Sequence, residues 1–123
     1  MKTDRVVVIT GAAGGIGAEL VRRFLENSDT VIATDLKAEG LQKLKTSADQ
    51  RSLFTVAANL TDFNECEKLS EVVRTNVGRV DVLINCAGYF PIHSFEEISP
   101  EEWREIIDVN LSGPFSSPGR FCR

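Results

Sequence analysis

The run Val6-Val7-Val8-Ile9-Thr10 leads directly into Gly11-Ala12-Ala13-Gly14-Gly15-Ile16-Gly17. An unbroken apolar, β-branched run predicts a buried strand, and the glycines predict a turn that opens a helix. This pairing constrains the chain more than any other feature. Backbone N–H groups freed at a helix N-terminus, with the positive end of its dipole, face any anion above the turn. Glycine lets the backbone approach that anion where a side chain would hold it away. A second apolar run, Thr30-Val31-Ile32-Ala33-Thr34, ends in Asp35, an acid placed to accept hydrogen bonds from both hydroxyls of an adenosine ribose. Strand, glycine turn, helix, strand and acid, in that order, are the context a dinucleotide site requires. The strict G-x-G-x-x-G spelling is absent; Gly11, Gly15 and Gly17 read G-x-x-x-G-x-G. No Gly-Lys-Ser/Thr follows to reach β/γ-phosphates and magnesium, which excludes a phosphate-loop NTPase.

The same alternation continues. Ile16, Leu20 and Phe24 recur every four residues and predict one apolar face for the first helix. Leu41, Leu44 and Ala48 mark a shorter second helix, and Leu53-Phe54-Thr55-Val56-Ala57 a third strand. Thr61 is a candidate cap for a helix with Cys66, Leu69, Val73 and Val77 on one side. Val80-Asp81-Val82-Leu83-Ile84 predicts a fourth strand. Ser99-Pro100-Glu101-Glu102 has capping-box spacing with proline at the first helical position. The helix it opens carries Trp103, Ile106, Ile107 and Asn110 on one face. Strands alternating with crossover helices imply an α/β fold, a doubly wound parallel sheet covered on both sides. Asn110 is the oddity of that last face, where a buried amide without partners costs roughly 1–3 kcal/mol. Two readings stand: an asparagine satisfied by nearby backbone, or a functional one held at the cofactor cleft.

Bulk properties narrow the function. A chain of 123 residues is one domain at most. A net charge of −4 and the lack of a Lys/Arg stripe argue against nucleic acid. No apolar run approaches the ~20 residues of a membrane span, and with the N-terminus entering a strand directly no signal peptide is expected. Cys66, Cys86 and Cys122 are odd in number and lack C-x-x-C spacing, as suits a cytoplasmic protein. His93 is the only histidine and reads as a loop residue, so no metal site is expected.

Four motifs in order make the chain resemble the N-terminal half of the short-chain dehydrogenase/reductase family. Thr10 to Gly17 matches its T-G-x-x-x-G-x-G loop. Asn59-Leu60-Thr61-Asp62 stands where the family has an aspartate and an apolar residue at the adenine. Asn85-Cys86-Ala87-Gly88 resembles its N-N-A-G segment, with Cys86 replacing the second asparagine. Val109-Asn110-Leu111 matches the segment that carries its catalytic asparagine. The resemblance covers about residues 5–115 and implies a Rossmann-type sheet in strand order 3-2-1-4. It implies that Gly11, Gly14, Gly15, Ile16 and Gly17 cradle cofactor phosphates and that Asp35 holds the ribose. Asn59 and Leu60 would meet the adenine; Asn85, Ala87 and Gly88 would line the path to the nicotinamide ribose. Asn110 would be the catalytic asparagine.

NAD is the expected cofactor, because the Asp35 carboxylate repels a 2′-phosphate and no basic residue lies in the glycine loop; Lys37 nearby leaves NADP as the lesser choice. The expected reaction is hydride transfer between NAD and a small-molecule secondary alcohol or ketone. Family members are homo-oligomers, which is not extended to this chain. The family's serine and Tyr-x-x-x-Lys pair, its general acid/base machinery, have no counterpart here. Tyr89 is the only tyrosine, it precedes Asn110, and His93 stands where the lysine would fall.

Residues 1–115 therefore read as an incomplete NAD-binding domain and residues 116–123 as an irregular tail. That tail, Ser116-Ser117-Pro118-Gly119-Arg120-Phe121-Cys122-Arg123, has two helix breakers and no amphipathic period. A base lost at the Phe115 codon accounts for it, since the restored frame permits Phe-Leu-Leu-Thr-Arg-Ala-Phe-Leu-Pro; a natural irregular end is the other reading. The expectation is a truncated, inactive dehydrogenase, and the alternative is a non-catalytic NAD-binding or interaction module. An uncovered edge on the fourth strand, with Trp103 and Ile107 exposed, is expected to promote association.

Overall fold

The computed structural model describes residues 4–47 and 51–116. Four parallel strands form one sheet in the order β3-β2-β1-β4, as expected. They are β1 (Val6–Thr10), β2 (Thr30–Asp35), β3 (Leu53–Ala57) and β4 (Val82–Ile84). Val7 pairs with Val31 on one side and with Val82 on the other. β1 is buried at all five positions because both of its faces are covered.

Alternation along the strands sorts two cores. Val7, Ile9, Val31 and Ala33 pack with Val21 of α1 (Gly15–Glu26) and Leu41 of α2 (Ala38–Ser47). Val6, Val8 and Ile32 pack on the other face against Leu69 and Val73 of α3 (Phe63–Asn76). Helices thus cover both faces. Beyond β4 the chain runs through a short 3₁₀ turn, Phe95–Glu97, into α4 (Pro100–Ile107). A widened π turn, Asp108–Ser112, carries it into α5 (Gly113–Ser116).

Several local expectations are corrected. β4 begins at Val82 rather than Val80; just before it the Asp81 N–H donates to Val6 O at 2.8 Å and the Asp81 carboxylate accepts from the Val6 N–H at 2.7 Å. The buried stripe of α1 is Gly17 and Val21, and Ile16 is 74% exposed. Four-residue spacing drifts around a helix of 3.6 residues per turn, so a 16-20-24 series leaves the core face at one end. Asp62, not Thr61, caps α3, accepting from the Asn64 and Glu65 N–H groups. Ser99 caps α4 by accepting from Glu102 N, but the Glu102 side chain does not return the bond; it is engaged elsewhere. Asn110 is exposed rather than buried. Trp103 is 51% exposed and Ile107 half-buried. Ala48, Cys122 and most of the 116–123 tail lie outside the described residues.

Candidate functional site

Parallel strands release their chains at one edge of the sheet, and crossovers that part to opposite faces leave a crevice there. In this chain the crevice is a cleft of about 370 Å³. Gly11, Gly14, Asp35, Asn59, Leu60, Ala87 and Gly88 all line it. Sequence reasoning had separated these residues by up to 77 positions; the strand order gathers them. Gly15, Ile16, Gly17, Asn85 and Asn110 are not in its lining.

The glycines divide by cause. Gly11 has φ +62°, and a Cβ there would lie 2.7 Å from the Ala87 backbone. A Cβ on Gly17 would lie 2.0 Å from the Gly11 carbonyl oxygen. Both are dictated by internal packing: the turn fits against the loop after β4, and α1 fits against the turn. Gly15 differs, since a Cβ there meets nothing within 4 Å. The protein itself does not require glycine at that point, whereas close approach by a bound molecule would. Helix α1 also lacks a capping side chain and has no acid in its first turn. Its N-terminal dipole is left uncompensated beside Gly14, where the cleft lies.

Asp35 is held firmly. One carboxylate oxygen accepts from Ala13 N at 3.0 Å and the other from Leu36 N at 2.8 Å. Each oxygen keeps a further lone pair, enough for two hydroxyls. Thr34 lines the same cleft, and its hydroxyl is buried with no hydrogen-bond partner among the described residues. A buried polar atom left that way costs roughly 1–3 kcal/mol. The donor set and the open Gly15 therefore fit a dinucleotide.

The far wall is built by hydrogen bonds. The Thr10 hydroxyl accepts from Cys86 N at 3.0 Å and from Ala87 N at 3.1 Å, tying the loop after β4 to β1. Asn110 braces the next residue: its Oδ1 accepts from Tyr89 N at 3.2 Å, and its Nδ2 donates to Tyr89 O and Ile106 O, each at 2.8 Å. The partners it was expected to need are therefore backbone groups. The π turn around Asn110 is what aims its amide across at Tyr89.

Three side chains missed by sequence reasoning meet beyond it. The Tyr89 hydroxyl donates to Glu102 Oε1 at 3.3 Å, and His93 Nε2 lies 2.9 Å from the same oxygen. The bond to Glu102, then one to the Ser94 carbonyl, raises His93 above its ordinary value. Partial desolvation, reinforced by the Glu102 charge, raises Tyr89. Lys37, Glu105 and Val109 also line the cleft. A hydroxyl ending a strand was the available signal for Thr34; nothing local marked Glu102 or Glu105.

The sequence profile of the short chain dehydrogenase family matches residues 5–121. The chain belongs to the short-chain dehydrogenase/reductase family. This family member is 36% identical over 110 residues to an uncharacterized oxidoreductase of Staphylococcus saprophyticus, covering 89% of this chain and 45% of that one. It is 32% identical over 113 residues to the D-threitol dehydrogenase of Mycolicibacterium smegmatis, covering 90% and 44%. A crystal structure titled as a short-chain glucose/ribitol dehydrogenase from Brucella melitensis superposes with a TM-score of 0.91 at 30% identity, covering 98% of this chain and 53% of that one. The chain thus spans about half the length of these relatives. Members of this oxidoreductase family bind nicotinamide cofactors and act on small-molecule alcohols or ketones. Among the described residues, no helix is long and apolar enough to cross a membrane. No group of three His, Cys, Asp or Glu there could hold a metal ion.

Proposed function

We propose that this chain forms the NAD-binding part of a dehydrogenase that transfers hydride between a secondary alcohol and a ketone. The observation that carries the reading is the cleft joining the Gly11–Gly14 turn, Asp35 and Asn59 along three adjacent strand ends. The N–H groups at the start of α1 would hold the cofactor phosphates, with Gly15 and the Ile16 and Gly17 backbone at the contact. The two Asp35 oxygens would accept from the ribose hydroxyls. Bound there, the nicotinamide ring supplies the hydride acceptor or donor.

Selection of NAD over NADP rests on charge. A 2′-phosphate would enter beside the Asp35 carboxylate, and repulsion outweighs the single exposed Lys37, whose flexible ammonium is solvated. Asn85, Ala87 and Gly88 follow β4 on the nicotinamide side. Asn110, its amide already committed to Tyr89 and Ile106, acts there as a positioning residue for the Tyr89 peptide. General acid/base catalysis typically contributes 10²–10⁴-fold, and these 123 residues contain no counterpart of the family's Ser and Tyr-x-x-x-Lys. The chain alone is accordingly expected to bind NAD without turning over secondary alcohols.

Titration calorimetry with NAD and NADP, paired with an assay of NAD reduction, tests both parts. Binding of NAD without turnover agrees with the proposal. No binding of either dinucleotide would overturn it.

A further inference from the structure

Helix α2 carries a glycine that its own conformation does not call for. Gly40 is the third residue of that helix, and only proline is a poorer helix former. A contact calls for it instead. A Cβ on Gly40 would lie 2.6 Å from the Cβ of Ala13, about an ångström inside ordinary carbon–carbon contact. An alanine methyl has no rotamer by which to withdraw, so relief has to come from backbone.

The backbone is anchored on both sides of that contact. On α2 the next residue, Leu41, is buried in the core with Val31 and Ala33. In the glycine turn Ala12 is fully buried, and its N–H donates to Thr34 O at 3.1 Å. Between these anchors lies the Ala13 peptide, whose N–H is one of the two donors that orient the Asp35 carboxylate. The result is a closed ring. Asp35 leads along the chain into α2, Gly40 meets the Ala13 methyl, and the Ala13 N–H returns to Asp35 Oδ2. Neither Gly40 nor Ala13 lines the cleft.

Resting on the dinucleotide reading above, we infer that Gly40 is a positioning residue that sets NAD selectivity from outside the cleft, by seating the Ala13 methyl on α2 so that the Ala13 N–H holds Asp35. The gap between helix and turn takes one methyl. Two collide and drive the Ala13 N–H off the carboxylate; none leaves that peptide unbraced. Either way Asp35 is no longer pre-organised for two ribose hydroxyls. NADP, whose 2′-phosphate gains nothing from Asp35, is affected less. The ratio of the two affinities is therefore the readout, since a general loss of stability would lower both alike.

The test is calorimetric binding of NAD and NADP to the full chain, to Gly40→Ala, to Ala13→Gly and to the double variant. Gly40→Ala should lower the NAD-to-NADP affinity ratio by about tenfold, the lower end for one bond to a charged group, and Ala13→Gly by about threefold. The double variant should restore the native ratio, because the methyl has only changed sides. Adding Gly40→Ala to Asp35→Ala should leave the ratio where Asp35→Ala puts it, because the effect travels through that carboxylate. If Gly40→Ala fails to fold by circular dichroism, Ala13→Gly and the double variant carry the same comparison. Single variants with the native ratio, a double variant that is not restored, or an effect that persists without Asp35 would each overturn this inference and leave the dinucleotide reading intact. If the native chain binds neither dinucleotide, both fall.

Discussion

The two walls of the cleft are held in different ways. The inner wall, β1, β2 and the start of α1, is placed by burial: Val7, Val8, Ile9, Val31, Ile32 and Ala33 are all fully buried, and Gly11 and Gly17 are locked by backbone contact. The outer wall, from β4 to α4, has no buried residue in either element. β4 is joined to β1 by the sheet ladder, and beyond it the wall is held by the Thr10 hydroxyl, the Asn110 amide and the Glu102 carboxylate. Apolar burial is non-directional and indifferent to pH, whereas polar ties are directional and the one between His93 and Glu102 titrates. One wall is thus a fixed seat for a ligand, and the other an adjustable flank.

The largest test of this contrast is packing. Ile9→Ala on the inner wall should cost about 2–5 kcal/mol of stability, while Ile107→Ala on the half-buried outer helix should cost less than about 2 kcal/mol. Denaturant midpoints measure both, and equal losses would erase the distinction. Next comes recognition by the fixed seat. Asp35→Ala should weaken NAD by about 1.5–3 kcal/mol, the range for bonds to a charged group, and weaken NADP much less. Equal loss for both in titration calorimetry would remove Asp35 from the ribose.

Asn110→Ala removes three hydrogen bonds on an exposed face, each worth about 0.5–1.5 kcal/mol at most. It should speed amide exchange at Tyr89 more than at β1. Uniform acceleration across both would show that the outer wall has no independent mobility.

The smallest expected effect is the pH response. His93 is raised above its ordinary 6.5 by Glu102, so its contribution to the tie is fully present below that value and is lost as pH rises through the raised one. As the single histidine, its ring signals are unambiguous in NMR. An upward shift that disappears in Glu102→Gln is expected; a midpoint at or below 6.5 in the native chain would count against the tie.

The contrast also explains what was legible in the sequence. The strands, the glycine turn and Asp35 at the end of β2 could be read because burial imposes periodicity and the turn is local, whereas the strand order followed only from the family resemblance. Ile16 was misread because spacing alone does not say where a stripe ends. Thr61 was taken for a cap when its neighbour Asp62 makes the bonds, since both are good capping residues and only backbone geometry separates them. The segments of the outer wall were read, but the ties between them were not. Tyr89 and Glu102 are 13 residues apart, His93 and Glu102 nine, and Tyr89 and Asn110 21. No repeat or motif encodes contacts at such separations; they exist only once the chain has turned from β4 into α4.

Thr10 has a kinematic consequence. The hydroxyl of buried Thr10 receives the N–H groups of Cys86 and Ala87 while its own strand lies inside the sheet, between β2 and β4. The cleft therefore has a floor in register with β1, while its rim at Tyr89 and His93 is bonded to Glu102 of exposed α4 and to Asn110 of the turn after it. Displacing that rim means carrying α4 along or breaking those bonds; the floor has no such freedom.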